Sequence, residues 1–430
     1  MKKSGVIIFF GINIITVVLW LMSKSSLSLL SFPVWKSLGQ LAGLIAATTI
    51  SLEFLLSARL KIVEKLFGGL DKVYKFHALA GAMSLFFSIN HPLFLAINVL
   101  PTSQAATRYL VPSLSNIPYL TGFLALYTLL ILVLLTLLIK LPYRFWKLTH
   151  YFMVIPLVMV IWHVLIIPSD TSNFLPLKIW LTASSGLALF FYIYKKFFYT
   201  HSAAKHSYLL SAVTVKNQLI ELVLKPVGKA LQFLPGQFAY ISIDSPGFRT
   251  DEHPFSLASA PNDSYLHLGV KPLGELTTKL ATLPLGAGVK VYGPYGTFGD
   301  RLLASNKDSV WIAGGVGVTP FLSLLKYYTL NPVSKKIWFF YVNKTRQDLD
   351  YLNEMQEDCS KVGNIKIIPY LSAERGRFSV DAIKPEILNY KDKLFLLCGP
   401  RQMMEDLTWQ LVSAGVHPKN IVLEDFNFFA

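Results

Sequence analysis

Up to about residue 200 the chain is a series of long apolar runs separated by short polar stretches, whereas beyond it apolar and polar residues alternate over short segments punctuated by Gly and Pro. Roughly 20 apolar residues in a helix rising 1.5 Å per residue cross about 30 Å of hydrocarbon. Runs near 5–22, 34–56, 76–99, 119–139, 146–167 and 175–198 therefore predict six membrane spans. Lys2 and Lys3 precede the first run as they would in a signal peptide. However, Gly5 to Met22 is long enough to span, and no small-residue cleavage site follows, so the segment reads as the first span.

The second pattern predicts soluble domains. From about 205 to 300, short alternating strands with turn residues read as a small antiparallel barrel. Ser309 to Ala313 then reads as a buried strand. Ile337 to Val342, Ile365 to Leu371 and Leu394 to Leu397 follow as strands, alternating with helical stretches at Leu349 to Cys359 and Met403 to Ser413. The expected architecture is a six-helix transmembrane bundle over 1–200, an antiparallel β-barrel over 201–304 and a doubly wound α/β domain over 305–430.

Composition agrees with that division. A mean hydropathy of +0.47 with 15% charged residues is too apolar for one soluble globule. The net charge of +15 raises the question of nucleic acid, but the basic residues of the first half sit in short loops beside apolar runs and form no basic face. That distribution instead orients the spans. Lys2 and Lys3, then Arg59, Lys61, Lys65, Lys72 and Lys75, then Lys140, Arg144 and Lys147, then Lys195 and Lys196 mark alternate loops as cytoplasmic. The intervening loops carry chiefly Lys24, Lys36, Arg108 and Lys178, so both termini and the soluble half are expected inside. The two cysteines, Cys359 and Cys398, exclude a disulfide scaffold and a cysteine metal cluster, and they fit a reducing compartment.

Histidine is costly in a bilayer, so an intramembrane histidine is a functional candidate. His77 and His91 lie 14 residues apart on the third span, and His150 and His163 lie 13 apart on the fifth. Both spans run in the same direction, so each stations two imidazoles about 20 Å apart along the membrane normal. His77 with His150 and His91 with His163 form two bis-histidine sites of the kind that hold a b-type haem with no open coordination position, suited to one-electron relay. Fourteen residues fall about 40° short of four turns, but thirteen are off by about 140° in an ideal helix. Pro156, which removes a backbone hydrogen bond, is the expected place for a kink that brings His150 and His163 into line. Asn90 reads as a polar helix contact and Glu53, near the inner end of the second span, as a snorkelling side chain.

In the soluble half, Leu234-Pro235-Gly236-Gln237-Phe238 precedes one strand and His253-Pro254-Phe255-Ser256 begins another. Gly269 to Thr278 reads as a strand leading into a helix start, whose backbone N–H groups suit a pyrophosphate. Gly314-Gly315-Val316-Gly317-Val318-Thr319-Pro320 follows the strand at 309–313, with glycines that admit a dinucleotide phosphate and Pro320 in the first turn of a helix. Lys344 and Arg346, after the second strand, can pair with a 2′-phosphate. That favours NADPH, with NADH possible.

The histidine pattern, the His-Pro-Phe-Ser stretch, the Gly-rich loop and Cys398-Gly399-Pro400 occur in an order that resembles the ferric reductase-like transmembrane flavocytochromes and NADPH oxidases, whose soluble half is of the ferredoxin-NADP reductase type. The resemblance implies FAD along His253, Pro254, Phe255 and Ser256, with its pyrophosphate at Leu276 and Thr277. It implies a nicotinamide site at Gly314, Gly315, Gly317, Thr319 and Pro320, with Cys398, Gly399 and Pro400 opposite, and Cys398 and Thr319 flanking the ring where hydride moves. Family oxidases end in an aromatic that stacks on the flavin, and Phe426 matches it, with Phe428 or Phe429 as substitutes.

The implied activity is electron transfer from cytosolic NADPH through FAD and two haems to oxygen, producing superoxide outside, in the plasma membrane of a bacterium. The alternatives are a ferric-chelate reductase using the same path and a non-catalytic haem or proton carrier. No obligatory protein partner is legible, and the absence of an EF-hand ahead of the first span points to the smallest prokaryotic members and constitutive activity. Phe86 and Phe87 are expected between the haems, Lys72, Lys75, Arg144 and Lys147 near the propionates, and Arg108 and Tyr109 near the acceptor. Superoxide-producing relatives carry a histidine four residues beyond the outer ligand of the third span, where this chain has Leu95.

Overall fold

The computed structural model describes residues 2–24, 33–100, 102–139, 142–199, 205–217, 219–245 and 248–424. The chain divides near residue 200 into two compact units.

The first unit is helical: α1 (Lys3–Met22), α2 (Val34–Ser57), α3 (Lys61–Phe67), α4 (Leu70–Asn98), α5 (Ser103–Leu110), α6 (Ile117–Leu138), α7 (Tyr143–Tyr151), α8 (Val154–Ile166), α9 (Asp170–Asn173) and α10 (Leu175–Ile193). Six segments are long and apolar enough to cross a membrane: α1, α2, α4, α6, Phe145–Ile166 and Leu175–Phe198. The third begins at Leu70 and not near 76, because Asp71 in its first turn favours the helix N-terminus and the helix continues past the apolar stretch. His77 therefore sits in the second turn of a 29-residue helix.

Apolar side chains such as Ile7, Ile14 and Leu137 face outward, and the interior mixes large apolar residues such as Phe9, Trp20, Leu157 and Leu177 with small and polar ones, which become prominent where lipid removes the hydrophobic drive between helices. The hydroxyls of Thr16 and Thr48 meet at 2.9 Å, those of Ser51 and Ser185 at 3.1 Å, and Trp180 Nε1 donates to Thr16 at 2.8 Å. Gly39, Ala42, Gly43, Ala46 and Ala47 let α2 approach α1, α4 and α10 closely.

The fifth span is interrupted. α7 ends at Tyr151 and α8 restarts at Val154, with Pro156 in the first turn of α8. A proline there has no N–H for the carbonyl four residues back, that of Phe152, and its ring crowds it. Phe152 O instead accepts from Ile155 N at 2.9 Å. The expected kink is therefore a break at Phe152 and Met153, between the two histidines.

The second unit holds both sheets. Strands β1 (Lys205–Val215), β2 (Ile220–Val227), β3 (Phe238–Ser245), β4 (Phe248–Arg249), β5 (His253–Ser256), β6 (Leu266–Val270) and β7 (Gly288–Tyr295) form an antiparallel sheet in the order β4-β3-β7-β1-β2-β6, with β5 beside β3. A bridge between Leu257 and Leu268 brings β5 to β6 and nearly closes the barrel. Its interior is an aliphatic core around Leu222, Leu224, Ile241, Leu268 and Val291.

Strands β8 (Ser309–Gly314), β9 (Ile337–Asn343), β10 (Ile365–Leu371), β11 (Leu394–Cys398) and β12 (Ile421–Glu424) make a parallel sheet in the order β10-β9-β8-β11-β12. Strand order thus reverses between β8 and β11, which in doubly wound sheets is where ligands bind. Trp311, fully buried on β8, packs against Phe321, Phe339 and Tyr328. Truncating such a residue costs about 3–5 kcal/mol, a large share of the roughly 5–15 kcal/mol that holds a domain together.

Candidate functional site

At the end of the bundle away from Lys2, α4 and α8 present His91 and His163 to each other with ring centroids 6.4 Å apart and planes at 76°. His91 Nδ1 lies 2.7 Å from Gly39 O, and His163 Nδ1 lies 2.8 Å from Pro118 O. A carbonyl oxygen only accepts, so each Nδ1 carries the proton and each Nε2 keeps its lone pair. An iron bonded to both Nε2 atoms at about 2 Å, with about 1.1 Å from each nitrogen to its ring centre, would set the centroids about 6.2 Å apart. The rings therefore fit a single metal between them. Among the described residues no third His, Cys, Asp or Glu joins this pair to make a metal-ion site, so a group that brings further donors of its own fits where a bare ion would not. A cavity of about 500 Å³, lined by both histidines with Gly43, Ala47, Leu95, Gly122 and Phe123, provides room for such a planar group.

Two glycines unremarked in the sequence hold these rings. A Cβ on Gly43 would stand 2.6 Å from His91 Nδ1, and one on Gly122 would stand 2.9 Å from His163 Cε1. Both helices thus back directly onto an imidazole.

At the opposite end, Glu53 of α2 places Oε2 against His77 Nδ1, and Glu53 is only 9% exposed. It does not snorkel: the carboxylate is inside the bundle, and its other oxygen has no hydrogen-bond partner among the described residues. The His150 ring lies over Trp146, with centroids 4.0 Å apart. Phe86 is 61% exposed and faces outward, since nine residues from His77 place it on the opposite side of an ideal helix. Buried Ser84, seven residues from both His77 and His91, takes the position between the two levels, and Phe87 packs edge-on against Phe86 at 5.4 Å. Lys72 Nζ donates to Gly68 O at 2.8 Å; the side chain of Arg144 lies outside the described residues. Arg108 sits 5.9 Å over the Tyr119 ring, and Tyr109 and Tyr119 line the cavity.

In the barrel, His253-Pro254-Phe255-Ser256 is β5, paired antiparallel with β3 so that Pro254 faces Tyr240 and Ser256 faces Phe238. Alternation sends Phe255 into the barrel core and turns Pro254 and Ser256 to the other face. Leu276, in the helix Glu275–Lys279, also points into the barrel, so only its backbone is available to a ligand. The Thr277 hydroxyl accepts from the backbone N–H groups of Leu273 and Gly274, each at 3.0 Å, and so orders the turn.

In the parallel sheet, Gly314 ends β8, Gly315 (φ +55°) opens a turn, and Thr319 and Pro320 start the helix Thr319–Leu330. Cys398-Gly399-Pro400 meets that loop backbone to backbone. A Cβ on Gly317 would lie 2.3 Å from Cys398 O, and one on Gly314 2.9 Å from Pro400 Cδ. Gly314 and Gly317 thus allow two loops to pack closely at the switch point. Cys398 and Thr319 are buried, and the Thr319 hydroxyl donates to Val316 O at 3.0 Å. Lys344 and Arg346 are exposed just past β9, whose last residue, Asn343, reaches toward Gly315. Buried Glu424, in register with Cys398 on β12, is a neighbour that sequence reasoning passed over. Phe426, Phe428 and Phe429 lie outside the described residues.

Three family models match in chain order. The ferric reductase like transmembrane component covers residues 42–161, ending two residues short of His163; the FAD-binding domain covers 204–297; and the oxidoreductase NAD-binding domain covers 311–408. The chain is 27% identical to Flavohemoprotein A of Dictyostelium discoideum over 50% of its length and 58% of that protein. It is 30% identical to Dual oxidase 1 of Canis lupus familiaris over 39% of its length and 12% of that protein. It thus spans little more than half of one relative and a small part of the other. A flavohemoglobin from Malassezia yamatoensis, solved with bound FAD and heme, superposes with a TM-score of 0.54 at 18% identity, covering 91% of this chain and 98% of that one, a likeness of fold.

Proposed function

The chain belongs to the ferric reductase-like flavocytochrome family, and from that premise we propose that it carries electrons from cytosolic NADPH, through FAD and two b-type haems, across the membrane to molecular oxygen. When bound, FAD would supply the conversion of a two-electron hydride into single electrons and the haems a one-electron relay. The observation that carries this reading is the His91–His163 pair, with centroids 6.4 Å apart and both Nδ1 atoms turned back onto carbonyls.

The residues divide the work. His77 with His150 and His91 with His163 would hold the two irons, and each outer ring's Nδ1, bonded to a carbonyl, would leave Nε2 for the metal. His253, Pro254 and Ser256, with the backbone at Phe255, Leu276 and Thr277, would hold FAD. Gly314, Gly315, Gly317, Thr319 and Pro320 would take the NADPH phosphates and ring. Cys398, with Gly399 and Pro400, closes the other side, and exposed Lys344 and Arg346 would meet the 2′-phosphate.

A second reading, ferric-chelate reduction by the same path, draws support from Leu95, which lines the outer cavity with an apolar side chain where oxidase relatives place a histidine. NADPH-driven cytochrome c reduction by the FAD- and haem-loaded protein in air, with and without superoxide dismutase, separates the two. Inhibition by the dismutase is the expected result; insensitivity, with rapid reduction of a ferric chelate, would make it a metalloreductase. No haem reduction by NADPH under argon would leave only a non-catalytic carrier.

A further inference from the structure

The two histidine levels differ in what holds Nδ1. At the level of His91 and His163 both acceptors are neutral backbone carbonyls, Gly39 O and Pro118 O. At the level of His77 the acceptor is the Glu53 carboxylate, buried on α2. We propose that Glu53 is a positioning residue that makes the haem at His77 and His150 the harder of the two to reduce, so that electrons run downhill toward His91 and His163. The inference rests on the haem assignment above.

Glu53 acts on the haem level in two ways. A carboxylate is a stronger acceptor than an amide carbonyl, so it draws the Nδ1 proton toward itself and raises the electron density that Nε2 gives the iron. That favours the ferric over the ferrous form. A negative charge held in a low-dielectric interior also opposes the arrival of one more electron nearby, and no ordinary solvent screens it. The step concerned is addition of one electron to ferric iron, with no bond made or broken at Glu53. Placement gives the effect its direction. His77 lies in the second turn of α4, at the end where the flavin-bearing half joins the chain in sequence order only through α10, whereas His91 lies two turns from the far end. A stronger acceptor at the entry level and weaker ones at the exit level is the order a one-way relay requires. The carboxylate is there despite its cost: an ionisable side chain inside a bilayer is retained where it has a job.

Glu53→Gln keeps the size and an acceptor oxygen but removes the charge. The test is anaerobic spectroelectrochemical titration of the full-length, haem-loaded protein, with haem stoichiometry and low-spin EPR recorded on the same samples. Native protein should titrate in two one-electron waves. In E53Q the lower wave should shift toward easier reduction by about tenfold in equilibrium constant, about 59 mV for a one-electron couple. The upper wave should stay put, and one of two low-spin EPR signals should change. Two haems with both waves unmoved would overturn the inference. If E53Q retains only one haem, Glu53→Asp, which keeps the charge and lengthens the contact, replaces it: a smaller upward shift of the lower wave supports the inference, and a lower wave at its native position overturns it. A native protein that binds no haem would defeat the haem assignment instead.

Discussion

At the scale of single residues, three of the four bundle histidines, His77, His91 and His163, have their Nδ1 turned to a group on another helix, and those groups are as telling as the rings. Gly43 and Gly122 leave no space between backbone and imidazole, so a methyl group there must displace the ring or the helix. Gly122→Ala should reduce pyridine-haemochrome stoichiometry from two haems per chain to one while NADPH still reduces the flavin; two haems in the variant would remove Gly122 from the site. Gly43→Ala, at 2.6 Å from His91, should behave the same way.

In the second unit, the Glu221 carboxyl is held at about 2, against an ordinary value of 4.5, first by the hydrogen bond from His267 and also by Lys216, with burial working against them. Its folded value lies below the unfolded one, so its contribution to stability is complete above about pH 4.5 and is lost as pH falls toward 2. Melting temperature should therefore fall between pH 5 and 3 more steeply in the native protein than in Glu221→Gln. Parallel curves would show the pair to be inconsequential.

At the scale of elements, the fifth span answers a geometric problem set by its own sequence. Thirteen residues separate His150 and His163, and an unbroken helix would turn them to different sides by about 140°. The interruption at Phe152 and Met153 falls between the two histidines, where it can absorb the mismatch, and Pro156 in the first turn of α8 gives it a local cause. Pro156→Ala restores an N–H and invites a continuous helix. It should lower haem content and weaken whichever pair loses its alignment, seen as loss of low-spin EPR intensity. Full haem with native spectra would show that the break is held by the surrounding helices. The same reasoning explains Phe86: span three carries its histidines on one face, so a residue nine positions on must look the other way.

At the scale of the whole molecule, the basic residues distribute unevenly between the loops at the two ends of the spans. Lys2, Lys3, Arg59, Lys61, Lys65, Lys72 and Lys75 stand at the end that also receives Lys195 and Lys196, against Lys24, Lys36, Arg108 and Lys178 at the other. This bias predicts that both termini and the nicotinamide-binding half face the cytoplasm. A fluorescent protein fused to the C-terminus should be bright and alkaline phosphatase at the same point inactive; the opposite pattern would reverse the electron path proposed above.

Much of this was legible in the sequence because it rests on periods and local chemistry. Apolar run length sets a span, alternation sets a strand, and a glycine-rich turn between a strand and a helix is a local pattern that suits a phosphate. Hence the six spans, the barrel, the parallel sheet and the spacing of the four histidines could be read before any contact was known. What only the tertiary structure decided is who stands behind those residues. Glu53 and His77 are 24 positions apart, Gly39 and His91 52, and Pro118 and His163 45, and nothing local ties the members of each pair together. Glu53 reads as a snorkelling charge because its distance from a helix end is visible and its partner on another helix is not. The glycines at 43 and 122 look like ordinary small residues, and Gly317 like a phosphate-loop glycine alone, until a ring or a second loop occupies the space a Cβ would take. Period and propensity act within a segment, whereas the partner of a buried polar group and the clearance beside a backbone are set only when segments pack.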